Sequence, residues 1–88
     1  MKHINILMHK DIQRNVIQPI IALDIDKELR NEEIEKKISE AISESGIMGQ
    51  YATKEVCYSI ANIVTHVENA KFSFFGSHEF WIESVPFI

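Results

Sequence analysis

Residues 71–85 read Lys-Phe-Ser-Phe-Phe-Gly-Ser-His-Glu-Phe-Trp-Ile-Glu-Ser-Val, and how this stretch pairs with itself decides the fold. Phe72, Phe74, Phe80 and Ile82 recur every second residue on either side of Gly76-Ser77-His78, the pattern of two strands and a turn. A two-residue Gly-Ser loop would pair Phe74 with Glu79 and Ser73 with Phe80, mixing apolar and polar partners. A three-residue loop pairs Phe74 with Phe80, Phe72 with Ile82 and Lys71 with Glu83, which sorts the faces and adds a cross-strand charge pair. The three-residue register is therefore expected, although it places Gly first in a loop whose usual form wants it last. In this register Phe75 and Trp81 point away from the Phe72/Phe74/Phe80/Ile82 face. Pro86 is expected to end the strand and leave Phe87-Ile88 as an apolar terminus.

Immediately upstream, Thr53 can cap a helix running to about Asn69. At about 100° per residue, Val56, Ile60, Ile63, Val64, Val67 and Ala70 fall on one stripe. Tyr58 falls on the polar side with Thr65 and Asn69. A second helix precedes this one. Asn31 is its expected N-cap, Glu32 and Glu33 suit the positive end of its dipole, and Ile34, Ile38, Ala41 and Ile42 form its narrower stripe. Glu33–Lys37 and Lys36–Glu40 are spaced as i,i+4 ion pairs. Gly46 is expected at the left-handed position after the helix, with Ile47 packing back on Ile42.

The first 26 residues alternate again. Ile4, Ile6 and Met8 share one face and His3, Asn5 and Leu7 the other, followed by a polar turn over residues 10–15. From Val16 to Asp26, Ile17, Ile21, Leu23 and Ile25 share a face. Pro19 lacks an N–H and belongs at an edge, at a bulge, or ahead of the paired part of the strand. The expected architecture is one α+β domain over residues 1–88: an antiparallel sheet of about four strands in the order β-β-α-α-β-β, two helices on one face. A ferredoxin-like sandwich is the alternative, if Gly46–Gln50 hides a further strand.

Composition bounds the function. The chain has 88 residues, 45% hydrophobic and 25% charged, with a net charge of −4 and one cysteine. A single cysteine excludes an internal disulfide scaffold. No apolar run approaches the roughly 18 residues of a membrane span, and the N-terminus lacks the pattern of a signal peptide, so the expected compartment is the cytoplasm. Residues 24–44 carry eight acids against four bases and so hold the whole net charge, whereas every aromatic residue lies after residue 50. An acidic chain with two arginines does not suit direct nucleic-acid binding. The excess of Ile over Leu and of Lys over Arg accompanies AT-rich genomes and points to a low-GC bacterium or a mobile element.

Chemistry-bearing patterns are few. Cys57 and His66 are nine positions apart, about 180° after full turns are removed, and cannot form a dyad within one helix. The acids Asp24, Asp26, Glu28, Glu32 and Glu35 imitate a calcium loop, but Leu29 stands where that loop needs Gly. His3, His9, His66 and His78 show no metal-ligand spacing, and Gly46-Ile-Met-Gly49 lacks the lysine and context of a phosphate loop. No catalytic, metal or cofactor residue is expected. The aromatic tail is the informative feature, because a sheet with helices on one side leaves the other open. Phe75, Trp81 and Phe87 are the expected partner-binding residues, with Tyr58 and the acidic helix as a second surface. The resulting expectation is a non-enzymatic protein-binding module, a homodimer through its sheet, that inhibits or regulates another macromolecule. Inhibitors, antitoxins, immunity proteins and phage proteins that modulate host or defence functions are of this small, acidic, motif-poor kind. Binding of a small ligand, such as a nucleotide, between subunits is the alternative.

Overall fold

The computed structural model describes residues 2–23, 32–67, 70–74 and 76–87. Strands β1 (Lys2–Asp11) and β2 (Val16–Leu23) are followed by helix α1 (Glu32–Ser45), a 3-10 turn (Gly49–Tyr51) and helix α2 (Lys54–His66). Strands β3 (Phe72–Phe74) and β4 (His78–Phe87) complete the chain. The four strands form one antiparallel sheet in the order β2-β1-β4-β3, the expected α+β arrangement. Gly46–Gln50 forms a turn and the start of the 3-10 segment, not a strand, which removes the ferredoxin-like alternative.

The two central strands set the faces. Leu7 lies opposite Ile82 and His9 opposite Phe80, and these point toward the helices. Ile34, Ile38 and Ile42 of α1 and Cys57, Ile60, Ala61 and Val64 of α2 close over Leu7, Leu23 and Phe80 to form the core. Pro19 sits on the edge strand β2, opposite Met8 and beside a bulge that leaves Ile20 as the extra residue. Its missing N–H costs no ladder bond there, and the bulge turns Ile17 to the side opposite Ile21 and Leu23.

Local chemistry explains the ends of the helices. Thr53 Oγ1 accepts from Val56 N–H at 3.2 Å and caps α2. Gly46 has φ 70°, the left-handed geometry expected after α1, and Ile47 packs against the core that contains Ile42. The Glu33–Lys37 pair is present at 4.0 Å. The expected cap Asn31 lies outside the described residues.

Besides the face of Ile17, which the bulge reverses, four expectations are corrected. The last hairpin pairs Phe72 with Phe80 and Phe74 with His78, two residues out of the expected register. The faces survive this shift because it is even, but the Lys71–Glu83 cross-strand pair is lost. Gly76 has φ 67° and Ser77 N–H donates to the Phe74 carbonyl at 3.0 Å, so the glycine must sit inside the turn. Second, β4 continues through Pro86 to Phe87, and among the described residues only β1 pairs with this part of it. A proline is tolerated on an edge that requires no further ladder bond.

Third, α2 ends at His66, and its buried arc is centred near Cys57, Ala61 and Val64. Ile63 and Val67 are exposed because α2 packs sideways against α1 as well as down on β3 and β4, so it buries the arc between those two neighbours. Fourth, Trp81 is not an exposed aromatic: it is only 9% accessible.

Candidate functional site

The surface turned away from the helices carries the more apolar row of β1. Ile4, Ile6 and Met8 lie there, while the helix side of the same strand receives Asn5, Leu7 and His9. Val85 faces Ile4, and Ile17 lies opposite Lys10 on the neighbouring strand. Ile17 is 57% and Val85 39% accessible. Trp81, opposite Met8 on this face, is the large side chain at its centre.

Trp81 is covered by its own neighbours. Its indole N–H donates to Glu83 Oε1 at 3.3 Å, and Lys71 Nζ lies 5.0 Å from the ring centroid. The corrected register accounts for this: shifting the hairpin by two residues brings Lys71 level with Trp81 instead of Glu83. A cation over the indole face and an acceptor at its edge use both polar properties of the ring. Trp81 also stands apart from the contiguous core cluster, so it fills no space beneath the helices. A shallow groove of about 570 Å³ runs beside it, lined by Lys10, Ile17, Lys71, Glu79 and Glu83.

Of the other expected binding residues, Tyr58 alone has a described side chain. Phe75 lies outside the described residues, and Phe87 pairs with Lys2 but its side chain is not described. Tyr58 is 37% accessible in the helical layer, on the opposite side of the sheet from Trp81. It borders a groove of about 270 Å³ between α1 and α2, with Lys36, Ser39, Glu40, Lys54 and Cys57. Burial pushes the Cys57 thiol above its ordinary range, which lowers its thiolate content and its reactivity. His66 lies on the far side of α2 from that thiol and pairs with Glu35 at 3.4 Å.

One pairing escaped the sequence. His9 Nε2 and His78 Nδ1 are 2.8 Å apart across β1 and β4, with ring centroids at 5.1 Å. His9 is 1% accessible, packs on the Phe80 ring at 5.0 Å, and has no partner for Nδ1 among the described residues. A proton on Nδ1 would be a buried donor without an acceptor. We therefore assign the proton to Nε2, donated to His78, with Nδ1 bare. Burial, reinforced by His78, pushes the pKa of His9 below its ordinary value, while Asp11 pulls more weakly the other way. Strand parity marks His9 as a neighbour of Leu7, and His78 as a neighbour of Phe80. Only the β1–β4 pairing, which joins residues 69 apart, brings the two together.

Among the described residues no three His, Cys, Asp or Glu side chains gather as a metal site, and no helix is long and apolar enough to cross a membrane. No protein-family model matches the chain, and no curated protein or solved structure matches it.

Proposed function

We propose that this chain is a non-enzymatic, cytoplasmic protein-binding module that associates through the open face of its sheet and inhibits or regulates another macromolecule. The observation that carries this reading is the orientation of β1. Its three-residue apolar row, Ile4, Ile6 and Met8, is turned away from the helical layer that closes over the core cluster. Contiguous apolar surface of this kind marks association sites in soluble proteins. Trp81 acts as the floor of the face and Ile17 and Val85 as its accessible contacts. The acidic helix α1, with five glutamates against two lysines, steers a basic partner toward the molecule.

The test is site-specific photo-crosslinking in the cell that makes the protein, with the probe at Ile17 or Val85 and a control probe at Lys37 on α1. The proposal expects one recurrent adduct from the sheet positions, lost when Ile6→Lys is added. Adducts from Lys37 alone, or none from the sheet face, count against it.

The second reading, sequestration of a small ligand such as a nucleotide, draws on the groove of about 570 Å³ beside Trp81, where Lys10 and Lys71 supply positive charge. It ranks lower because Lys71 already occupies the indole face on which a base would stack. A thermal-shift screen with nucleotides measures it, since a tight ligand raises the midpoint by mass action.

A further inference from the structure

We infer that the open sheet face is occupied by a second copy of this chain, packed sheet to sheet as an isologous dimer; this rests on the reading of that face as a docking surface. The argument is electrostatic and areal. The chain carries −4 overall, so two copies repel wherever their acidic surfaces meet. Helix α1 is such a surface, with Glu33, Glu40 and Glu44 exposed on it. The open face differs. Its groove presents Lys10 and Lys71 against Glu79 and Glu83, two charges of each sign beside the apolar row of β1. A two-fold contact brings each patch against its own copy, which demands self-complementarity, and a charge-balanced apolar face meets that demand. A strongly basic partner has no comparable reason to choose this face over α1.

The dimensions also agree. Two ten-residue strands, one of eight residues and one of three, at about 3.3 Å per residue and about 4.8 Å per strand, give a footprint on the order of 500 Å². An interface of this size lies at the small end of the specific range, below the roughly 800 Å² per partner of a standard one, which suits a reversible dimer. Stacked sheets lie about 10 Å apart, a gap that Ile4, Ile6, Met8 and their two-fold copies can fill. The outer strands β2 and β3 would lie at the rim, with the helices on the two outer surfaces of the dimer. The bare central face of each monomer thereby becomes the inside of a sandwich.

Sedimentation equilibrium and light scattering on the intact chain at tens of micromolar test this inference. A mass twice that of the chain is expected, falling to the monomer mass in Val85→Lys and in Ile17→Lys. Both positions are accessible, so neither substitution disturbs the core of the monomer. Charge reversal at Glu40 of α1 is expected to leave the dimer intact. A monomeric wild type overturns the inference. So does a dimer that survives both lysine substitutions, or one that Glu40→Lys alone abolishes. A monomer whose Ile17 and Val85 probes still crosslink to one other protein overturns the second copy but leaves the docking face standing. A monomer with no crosslinks overturns both.

Discussion

The side of the sheet beneath the helices and the side turned away from them draw on the same two central strands, yet they satisfy their side chains by different means. Beneath the helices the sheet supplies few large anchors, mainly Leu7, Leu23 and Phe80, and α1 and α2 bring the remaining apolar volume. That generosity lets a histidine pair occupy strand positions that would otherwise need aliphatic residues. On the other side no second layer stands among the described residues. Ile4, Ile6 and Met8 are only half-buried, and Trp81 is sheltered by a lysine and a glutamate from its own chain. Apolar content therefore does not tell which face of a strand is the core. The decisive quantity is what the rest of the chain can place over it.

The largest way to break this comparison is to delete an anchor on the covered side. Phe80 is fully buried at the centre of the core and carries the ring on which His9 rests. Phe80→Ala should destabilise the protein by about 3–5 kcal/mol, the range for aromatic truncation in a packed core. Ser73→Ala, on the exposed position of β3 opposite Glu79, should change stability by no more than about 0.5 kcal/mol. Urea unfolding midpoints compare the two. Similar losses would mean that the open face is packed as tightly as the covered one.

A change of pH acts on the covered side next. The unfolded His9 takes up a proton near its ordinary value of 6.5, whereas the folded one does so only at lower pH. Between those two points the unfolded chain holds more protons, so stability falls as pH is lowered through this window. Above 6.5 the contribution of His9 is fully present. His78 and Asp11 are the titratable groups whose charges act on His9. Denaturation midpoints measured from pH 8 to pH 5 should decline, and His9→Leu should flatten part of that decline. An unchanged slope in His9→Leu would show that the pair is not its source.

Much of the fold was legible because it rests on local signals. Thr53, Gly46 and the two alternating segments are each read from their immediate neighbours, and each falls where the chemistry of caps, turns and strands requires. The site was legible only in part. The placement of Trp81 opposite the Phe80 face followed from parity, which an even register shift preserves. Its cover did not follow, because Lys71 meets Trp81 only when the turn slides to hold Gly76 at positive φ. The rotation of α2 was hidden for a similar reason. A helix with two neighbours buries the arc between them, and periodicity reports apolar residues without reporting neighbours. The histidine pair depends on a contact between the two ends of the chain, which no spacing rule contains.

The smallest effect tests the open face directly. Trp81 is the only tryptophan, so its emission reports this surface without interference. Lys71→Ala removes the cation above the ring and uncovers it to water, at a cost of about 0.5–1 kcal/mol if the site behaves as an exposed cation–π pair. Lys71→Met keeps much of the aliphatic cover and loses the charge, so it separates shielding from electrostatics. Emission should shift to the red in Lys71→Ala and less in Lys71→Met, while Glu83→Gln, which retains an acceptor for the indole N–H, should shift it least. These measurements belong at concentrations low enough to keep the chain monomeric. If Lys71→Ala leaves the emission where it was, the tryptophan is shielded by something other than its own neighbours, and the open face is already covered by another molecule.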